Sequence, residues 1–240
     1  MLVQKLCQPD ETIISNHFPI FIFQLQLEVS ENVSEEFIGL TNKLTNLVSL
    51  QLTFRHIGHE ALLEIGRQCP HIEIIKLIGY EIVSSDLTSF NTKNSDYFKR
   101  LRVLEIRIVR SDENLQDFID VSDDDDTEYE DDSSINPALL DFFLSNCLGI
   151  QDLTISATLA FLNESFLLKL FDKNPMNELQ RLSICPLDRS NQLTSSVAST
   201  IVMSLPNLHT MALSRWNMKS KEIQQLTLQC RHENLDVNFV

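Results

Sequence analysis

The sequence predicts an α/β solenoid in which parallel strands stack into one curved sheet with helices on the outside. Two observations carry this. First, an apolar triplet recurs at a nearly constant step: Leu47-x-x-Leu50-x-Leu52 returns 25 positions later as Ile72-x-x-Ile75-x-Leu77, after a helix-like run over 61–69 and Cys69-Pro70-His71. Second, the apolar period switches from two within the triplets to that of a helix between them. Self-similarity at this spacing marks a stacked array, so it has to be found before single residues are interpreted.

In chain order the triplets are Ile22-x-x-Leu25-x-Leu27, the two above, Leu101-x-x-Leu104-x-Ile106, Ile150-x-x-Leu153-x-Ile155, Leu179-x-x-Leu182-x-Ile184 and Leu208-x-x-Met211-x-Leu213. Their steps are 25, 25, 29, 49, 29 and 29, and an alternating run, Leu235-x-Val237-x-Phe239, closes the chain 27 after Leu208. The alternation is that of a half-buried strand. Between triplets, Ala61, Leu62, Ile65 and Cys69 share one helical face, as do Leu139, Phe143 and Cys147, and Val197, Ala198, Ile201 and Leu205. Pro137 suits the first turn of its helix. Neither element can bury its apolar side alone. Stacking sets strands about 4.8 Å apart with wider helices outside, so the array must curve with the strands on the concave side. The whole chain, 1–240, is expected to be a single domain of about seven repeats plus a terminal strand.

The longest step spans a charge run. Between residues 111 and 134 there are twelve Asp or Glu and no Lys or Arg, which accounts for most of the formal charge of −15. Such a stretch cannot collapse, so an acidic disordered insertion is expected over 111–135. Ser122, with acidic residues just downstream, suits an acidophilic kinase, and a solvated spacer without a partner is the plainer account of the run. The Gly and spacing of a helix–loop–helix calcium site are absent.

Composition excludes several classes. The 43% hydrophobic content over 240 residues is enough for one large core. An acidic chain is a poor phosphate-backbone binder, so no nucleic-acid partner is expected. The five cysteines are scattered with no Cys-x-x-Cys, which suits reduced thiols in a cytoplasmic or nuclear protein. The longest apolar run, 18–23, contains a proline and is too short for a bilayer, and the first 15 residues lack a signal-peptide core, so no membrane association is expected. The glycosylation-like Asn32-Val-Ser34 and Asn163-Glu-Ser165 then fall to chance. His56-Ile-Gly-His59-Glu60 lacks the second half of a zinc motif, and surface histidines in a turn explain it better. Cys69-Pro70-His71 invites a thiol–imidazole pair, but Cys69 falls at a helix end facing the core, where a thiol is inert. No phosphate-cradling glycine loop or nucleophile elbow is present. No enzyme activity and no cofactor or metal are expected.

The triplets and their spacing resemble the leucine-rich repeat family. Cys69-Pro70-His71-Ile72, Asn146-Cys147-Leu148-Gly149-Ile150 and Ser204-Leu205-Pro206-Asn207-Leu208 are similar to the repeats of F-box leucine-rich proteins, where Cys or Leu closes each helix before "Pro-x-Leu". The resemblance covers roughly residues 20 to 240. The family's Asn or Cys three places after each triplet is missing: Arg55, Tyr80, Val109, Thr158, Leu187 and Trp216 stand there, so those turns must be satisfied otherwise. Residues 1–20 show no F-box helical pattern, so the chain reads as the repeat half of such a protein, a truncated form, or a relative without the box.

On the family's geometry the central concave row is Gln26, Gln51, Lys76, Glu105, Thr154, Ser183 and Ala212. Ile74, Val103, Asp152 and Arg181 flank it on one side, and Ile78 and Arg107 on the other. Ile74, Ile78 and Val103 beside Lys76, Glu105 and Arg107 make an apolar centre with a charged rim, as protein-binding patches are built. The plainer account is that strands favour β-branched residues and that Lys76 and Glu105 pair across strands for ~0.2–1 kcal/mol. Trp216, Tyr80 and Phe54 are tempting anchors, but their positions turn toward the core. The resemblance implies the substrate-recognition array of an SCF-type ubiquitin ligase, with ubiquitination substrates as partners and a cullin adaptor if an F-box lies upstream. A free-standing scaffold whose acidic loop binds a basic protein, histone-like or other, is the alternative, and under either reading a monomer is expected.

Overall fold

The triplet alternation is realised as strands that pair only with their sequence neighbours. The computed structural model describes residues 3–6, 23–32, 44–83, 97–108, 137–157, 164–186 and 193–240. Among these residues nine parallel strands form one sheet in chain order. They are β1 (Val3–Leu6), β2 (Gln24–Asn32), β3 (Ser49–Gly58), β4 (Ile74–Val83), β5 (Val103–Ile108), β6 (Asp152–Ala157), β7 (Arg181–Pro186), β8 (Thr210–Ala212) and β9 (Asn238–Phe239). Five helices are described: α1 (His59–Gln68), α2 (Pro137–Asn146), α3 (Glu164–Lys173), α4 (Ser195–Ser204) and α5 (Ser220–His232). The acidic run and Ser122 lie outside the described residues, as does the loop expected around them.

Register converts the sequence step into stacked apolar rows. Leu50 pairs with Ile75, Ile75 with Leu104, Leu104 with Leu153, Leu153 with Leu182 and Leu182 with Met211. All six are buried, as are the parallel row Leu52, Leu77, Ile106, Ile155 and Ile184 and the leading residues Leu47, Ile72, Leu101, Ile150, Leu179 and Leu208. Helices close the other side of this core through Ala61, Leu62 and Ile65 of α1, Leu140, Phe143 and Leu144 of α2, and Val197, Ala198 and Ile201 of α4. Burying each such aliphatic side chain is worth about 1.5–3 kcal/mol.

Two backbone devices recur at the steps from β2 to β8. Just before each triplet the chain makes an i→i−3 turn onto a buried slot residue. The Ile72 N–H donates to Cys69 O (3.2 Å), Leu101 to Phe98 (2.9 Å), Ile150 to Cys147 (3.4 Å), Leu179 to Met176 (3.0 Å) and Leu208 to Leu205 (3.2 Å). The carbonyl just ahead of each strand then accepts two successive N–H groups of the next repeat. Glu73 O takes Arg102 and Val103 (2.8 and 3.0 Å), Arg102 O takes Gln151 and Asp152 (2.7 and 3.0 Å), and Gln151 O takes Gln180 and Arg181 (2.9 and 3.0 Å). These bonds fix the register before the sheet ladder begins.

Three expectations need correction. The sheet has nine strands where eight were expected, because β1 also pairs with β2, placing Gln4 opposite Leu27. A polar residue in that row hides the triplet pattern. The strands are not uniformly short: β2 has 9 residues and β3 and β4 have 10, against 6 in β5, β6 and β7. And His56 lies in β3 while His59 begins α1, so these histidines mark a direct strand-to-helix junction and not a turn.

The strand lengths answer how the missing asparagine is replaced. At Arg55 and Tyr80 the chain does not turn: the ladder continues through Phe54–Gly79, His56–Glu81 and Gly58–Val83, so the backbone groups stay paired. Gly79 is needed for this, because a Cβ there would stand 2.4 Å from the Phe54 ring and 2.6 Å from the Phe54 carbonyl oxygen. At the other end, β8 stops at Ala212, one residue short of the position opposite Ile184. The Trp216 indole Nε1 fills in, donating to Ile184 O at 2.7 Å. Trp216 and Phe54 are both buried, as expected. The one buried polar side chain among the described residues, Asn174, ties the helix layer together. Its Nδ2 donates to Leu144 O of α2, and its Oδ1 accepts the Met176 N–H at 3.0 Å.

Gly79→Ala should lower unfolding free energy by about 1–3 kcal/mol or more through overpacking against Phe54, read as a drop in urea midpoint. Trp216→Phe keeps an aromatic ring but leaves a buried carbonyl without its donor. A loss of about 1–3 kcal/mol is expected, with Trp216→Tyr no better unless its hydroxyl finds the same oxygen.

Candidate protein-binding surface

The eight residues singled out in the sequence all lie on the sheet face opposite the helices, on β4–β7. Strand alternation puts them there: β5 and β6 bury every second residue, and Val103, Glu105, Asp152 and Thr154 fall between the buried positions. Register brings them side by side. Ile74 pairs with Val103, Val103 with Asp152 and Asp152 with Arg181, while Lys76 pairs with Glu105 and Ile78 with Arg107. Ile74, Ile78 and Val103 are only partly covered.

Ion pairs organise the rest. The Glu105 carboxylate takes Lys76 Nζ on Oε2 (3.0 Å) and Arg107 Nε on Oε1 (2.6 Å). One strand further, Asp152 Oδ2 accepts both Arg181 Nε (2.8 Å) and Nη2 (2.7 Å). The expected Lys76–Glu105 pairing is therefore present, extended into a triad by Arg107. Exposed pairs of this kind contribute only about 0–1 kcal/mol. Their effect here is to hold long side chains in fixed positions beside the aliphatic patch.

Two features were missed in the sequence. Arg55 is exposed two residues beyond Thr53 on β3, on the same alternation. Upstream of the patch, a cleft of about 340 Å3 opens where Lys99, Arg100 and Arg102 meet Glu73, Gln151 and Glu178. Arg100 Nη1 donates there to His71 Nδ1 at 3.1 Å. The signal was legible, since Lys99-Arg100-x-Arg102 is a dense basic cluster in an acidic chain. What sequence could not give was its position against the upstream ends of β4–β6.

The thiols behave as their slots dictate. Cys69, Cys147 and Cys230 are buried, and burial pushes the Cys69 thiol up to about 11 and the Cys147 thiol up to about 12. Cys185 is part-exposed on the open face, beside Ser156. Among the described residues no group of three or more His, Cys, Asp or Glu could hold a metal ion, and no helix is long and apolar enough to cross a membrane.

One parallel strand every 25 to 29 residues, with a single step of 49, led by a buried turn residue and backed by helices, decides the architecture. The fold is a leucine-rich repeat solenoid. No family model matches the chain, and no curated protein matches it. Among solved structures, an internalin from Listeria monocytogenes aligns over 89% of this chain and 52% of its own at 15% identity, with a TM-score of 0.41. A protein from Bacteroides fragilis aligns over 90% of this chain and 64% of its own at 12% identity, with a TM-score of 0.44. The solenoid thus spans about half the length of the one and under two thirds of the other. At these values the likeness concerns architecture alone.

The buried thiols give a pH dependence with a defined sign. Their folded values lie above the ordinary 9.0, so above that pH the unfolded chain gives up protons that the folded solenoid keeps. Stability should therefore fall as pH rises from about 9.0 toward 11 and 12. Denaturant titrations across that range should show a shallower fall in Cys69→Ala/Cys147→Ala than in the parent; parallel slopes would mean the thiols do not contribute.

Proposed function

We propose that the protein is a protein-interaction module whose docking surface is the open sheet face of β4–β7. The single observation that carries this is the partly covered aliphatic trio Ile74, Ile78 and Val103, set in register beside the Lys76–Glu105–Arg107 triad and the Asp152–Arg181 pair. An apolar centre that loses water on docking supplies affinity, and a rim of fixed charges supplies register and selectivity. The position of the trio on rigid strands means little ordering is needed on binding.

A finer reading is the substrate-recognition array of an SCF-type ubiquitin ligase. It is supported only by the Cys or Leu in the slot ahead of some of the triplets, as at Cys69, Cys147 and Leu205, where others hold Phe98 and Met176, and it requires an adaptor-binding segment. The alternative, capture of a basic protein by the acidic run at 111–134, is supported by that run's composition.

Proximity labelling with the intact chain, an Ile74→Asp/Val103→Asp variant and a chain lacking 111–134 separates these. Docking on the sheet predicts that the double variant, checked for an unchanged melting profile, loses the intact chain's partners while the deletion keeps them. The reverse pattern would move the site to the acidic run. A cullin adaptor among the partners of both altered chains would support the ligase assignment, and its absence from the intact chain's partners would remove it.

A further inference from the structure

We propose that the partner segment taken by this face is acidic, with aliphatic residues interspersed: a protein stretch in which Asp or Glu flank the side chains that cover Ile74, Ile78 and Val103. This deepens the docking assignment above and rests on it.

The charges of the face are layered. The two carboxylates lie low, Glu105 13% and Asp152 25% exposed, whereas the cations they hold stand out into solvent, Lys76 at 41%, Arg107 at 56% and Arg181 at 62%. A molecule arriving from solvent therefore meets ammonium and guanidinium groups first. The carboxylates are already occupied and act as anchors beneath them. Across the rungs that join residues 49–53 to 210–212, Glu105 and Asp152 are the only carboxylates, and the remaining polar positions are Ser, Thr, Gln and Cys.

The same sign continues past both ends of the patch. Arg55 is exposed beyond Thr53 on the downstream side. On the upstream side Lys99, Arg100 and Arg102 outnumber Glu73 and Glu178 in the 340 Å3 cleft, which lies directly ahead of Ile74, Val103 and Asp152. An extended segment crossing the rungs can thus place aliphatic side chains on the trio, with carboxylates over Arg107 and Arg181 and one more in the cleft.

The net charge of −15 does not oppose this. At physiological ionic strength the screening length is about 8 Å, so a carboxylate farther than that from the patch is largely screened, and the groups that line the patch act most strongly on a docked segment. Nucleic acid shares the negative charge but fits less well, because the trio is aliphatic and the rungs named above offer no aromatic ring on which a base could stack.

The test is selection from a random twelve-residue peptide library displayed on phage against the full chain, followed by anisotropy titration of the synthesised winners. Selected peptides should be net negative and carry at least two aliphatic residues. Their Kd should weaken at least tenfold in Lys76→Gln/Arg107→Gln/Arg181→Gln. A smaller loss is expected in Arg55→Gln/Arg102→Gln, which touches neither ion pair of the patch and so leaves folding aside. Neutral or basic winners whose binding is still lost in Val103→Asp would overturn the acidic partner and keep the docking face. Winners indifferent to Val103→Asp and to both charge variants would overturn both. Displacement of the winners by a single-stranded oligonucleotide of equal charge would overturn the protein segment in favour of nucleic acid.

Discussion

The structure depends on one shared hydrogen-bond acceptor per repeat. From β2 to β7 the carbonyl immediately ahead of each strand accepts two consecutive N–H groups from the following repeat, which fixes the register at the mouth of the strand. Because the constraint acts at the mouth of the strand, the length of the intervening chain hardly matters. Steps of 25, 29 and 49 residues all deliver a leucine, isoleucine or methionine opposite its predecessor. The entropy of closing a longer excursion rises by only about 0.6 kcal/mol per doubling of length, so the acidic interval is tolerated between β5 and β6 without disturbing the rung from Leu104 to Leu153. Stability in such an array is a sum of nearest-neighbour terms, and each neighbour pair from β2–β3 to β7–β8 uses the same acceptor geometry.

The exits of the strands are less uniform than their mouths. In β3 and β4 the ladder runs on for 10 residues, helped by a glycine that lets the Phe54 ring lie across the neighbouring strand. In β5, β6 and β7 it stops after 6, and beside β7 an indole takes over the carbonyl that β8 is too short to reach. One half of the sheet is therefore broader than the other. The candidate docking patch sits at the step between them, where Ile74, Lys76 and Ile78 of a long strand face Val103, Glu105 and Arg107 of a short one.

What was legible in the sequence follows from this. The rows of the core could be read because each repeat must present apolar residues at fixed offsets to be buried by the next. The eight patch residues could be read for the same reason, since alternation assigns every second strand residue to the open face. Strand β1 could not, because Gln4 stands where its neighbour has Leu27. The long strands were hidden because the triplet marks where a strand begins and says nothing of where pairing ends; Gly79 opposite Phe54 was the cue. The third member of the ion triad was missed as a contact because Arg107 and Glu105 are two apart on one strand, and only their shared face lets both guanidinium and ammonium reach one carboxylate. Asn174 could not be read as buried, since the carbonyl it satisfies belongs to a helix 30 residues earlier.

Among the described residues the core is closely packed. The apolar void enclosed by α2, α3, α4, β6 and β7 measures about 20 Å3, room for no more than one water, and its Leu, Ile and Met lining offers that water no hydrogen-bond partner. The upstream cleft is larger but charged and open to solvent, so it can seat a carboxylate side chain without excluding water from it. On the docking face proposed above, recognition would be divided along the sheet: three aliphatic side chains on the strands would supply desolvation, while cations raised above their own carboxylates would act at longer range and choose the approach. Because those cations already rest on internal carboxylates, a partner's carboxylate has to share them, and a cation drawn wholly to the partner would leave Glu105 or Asp152 unpaired beneath it. The geometry therefore favours selectivity among partners over great affinity for any one of them.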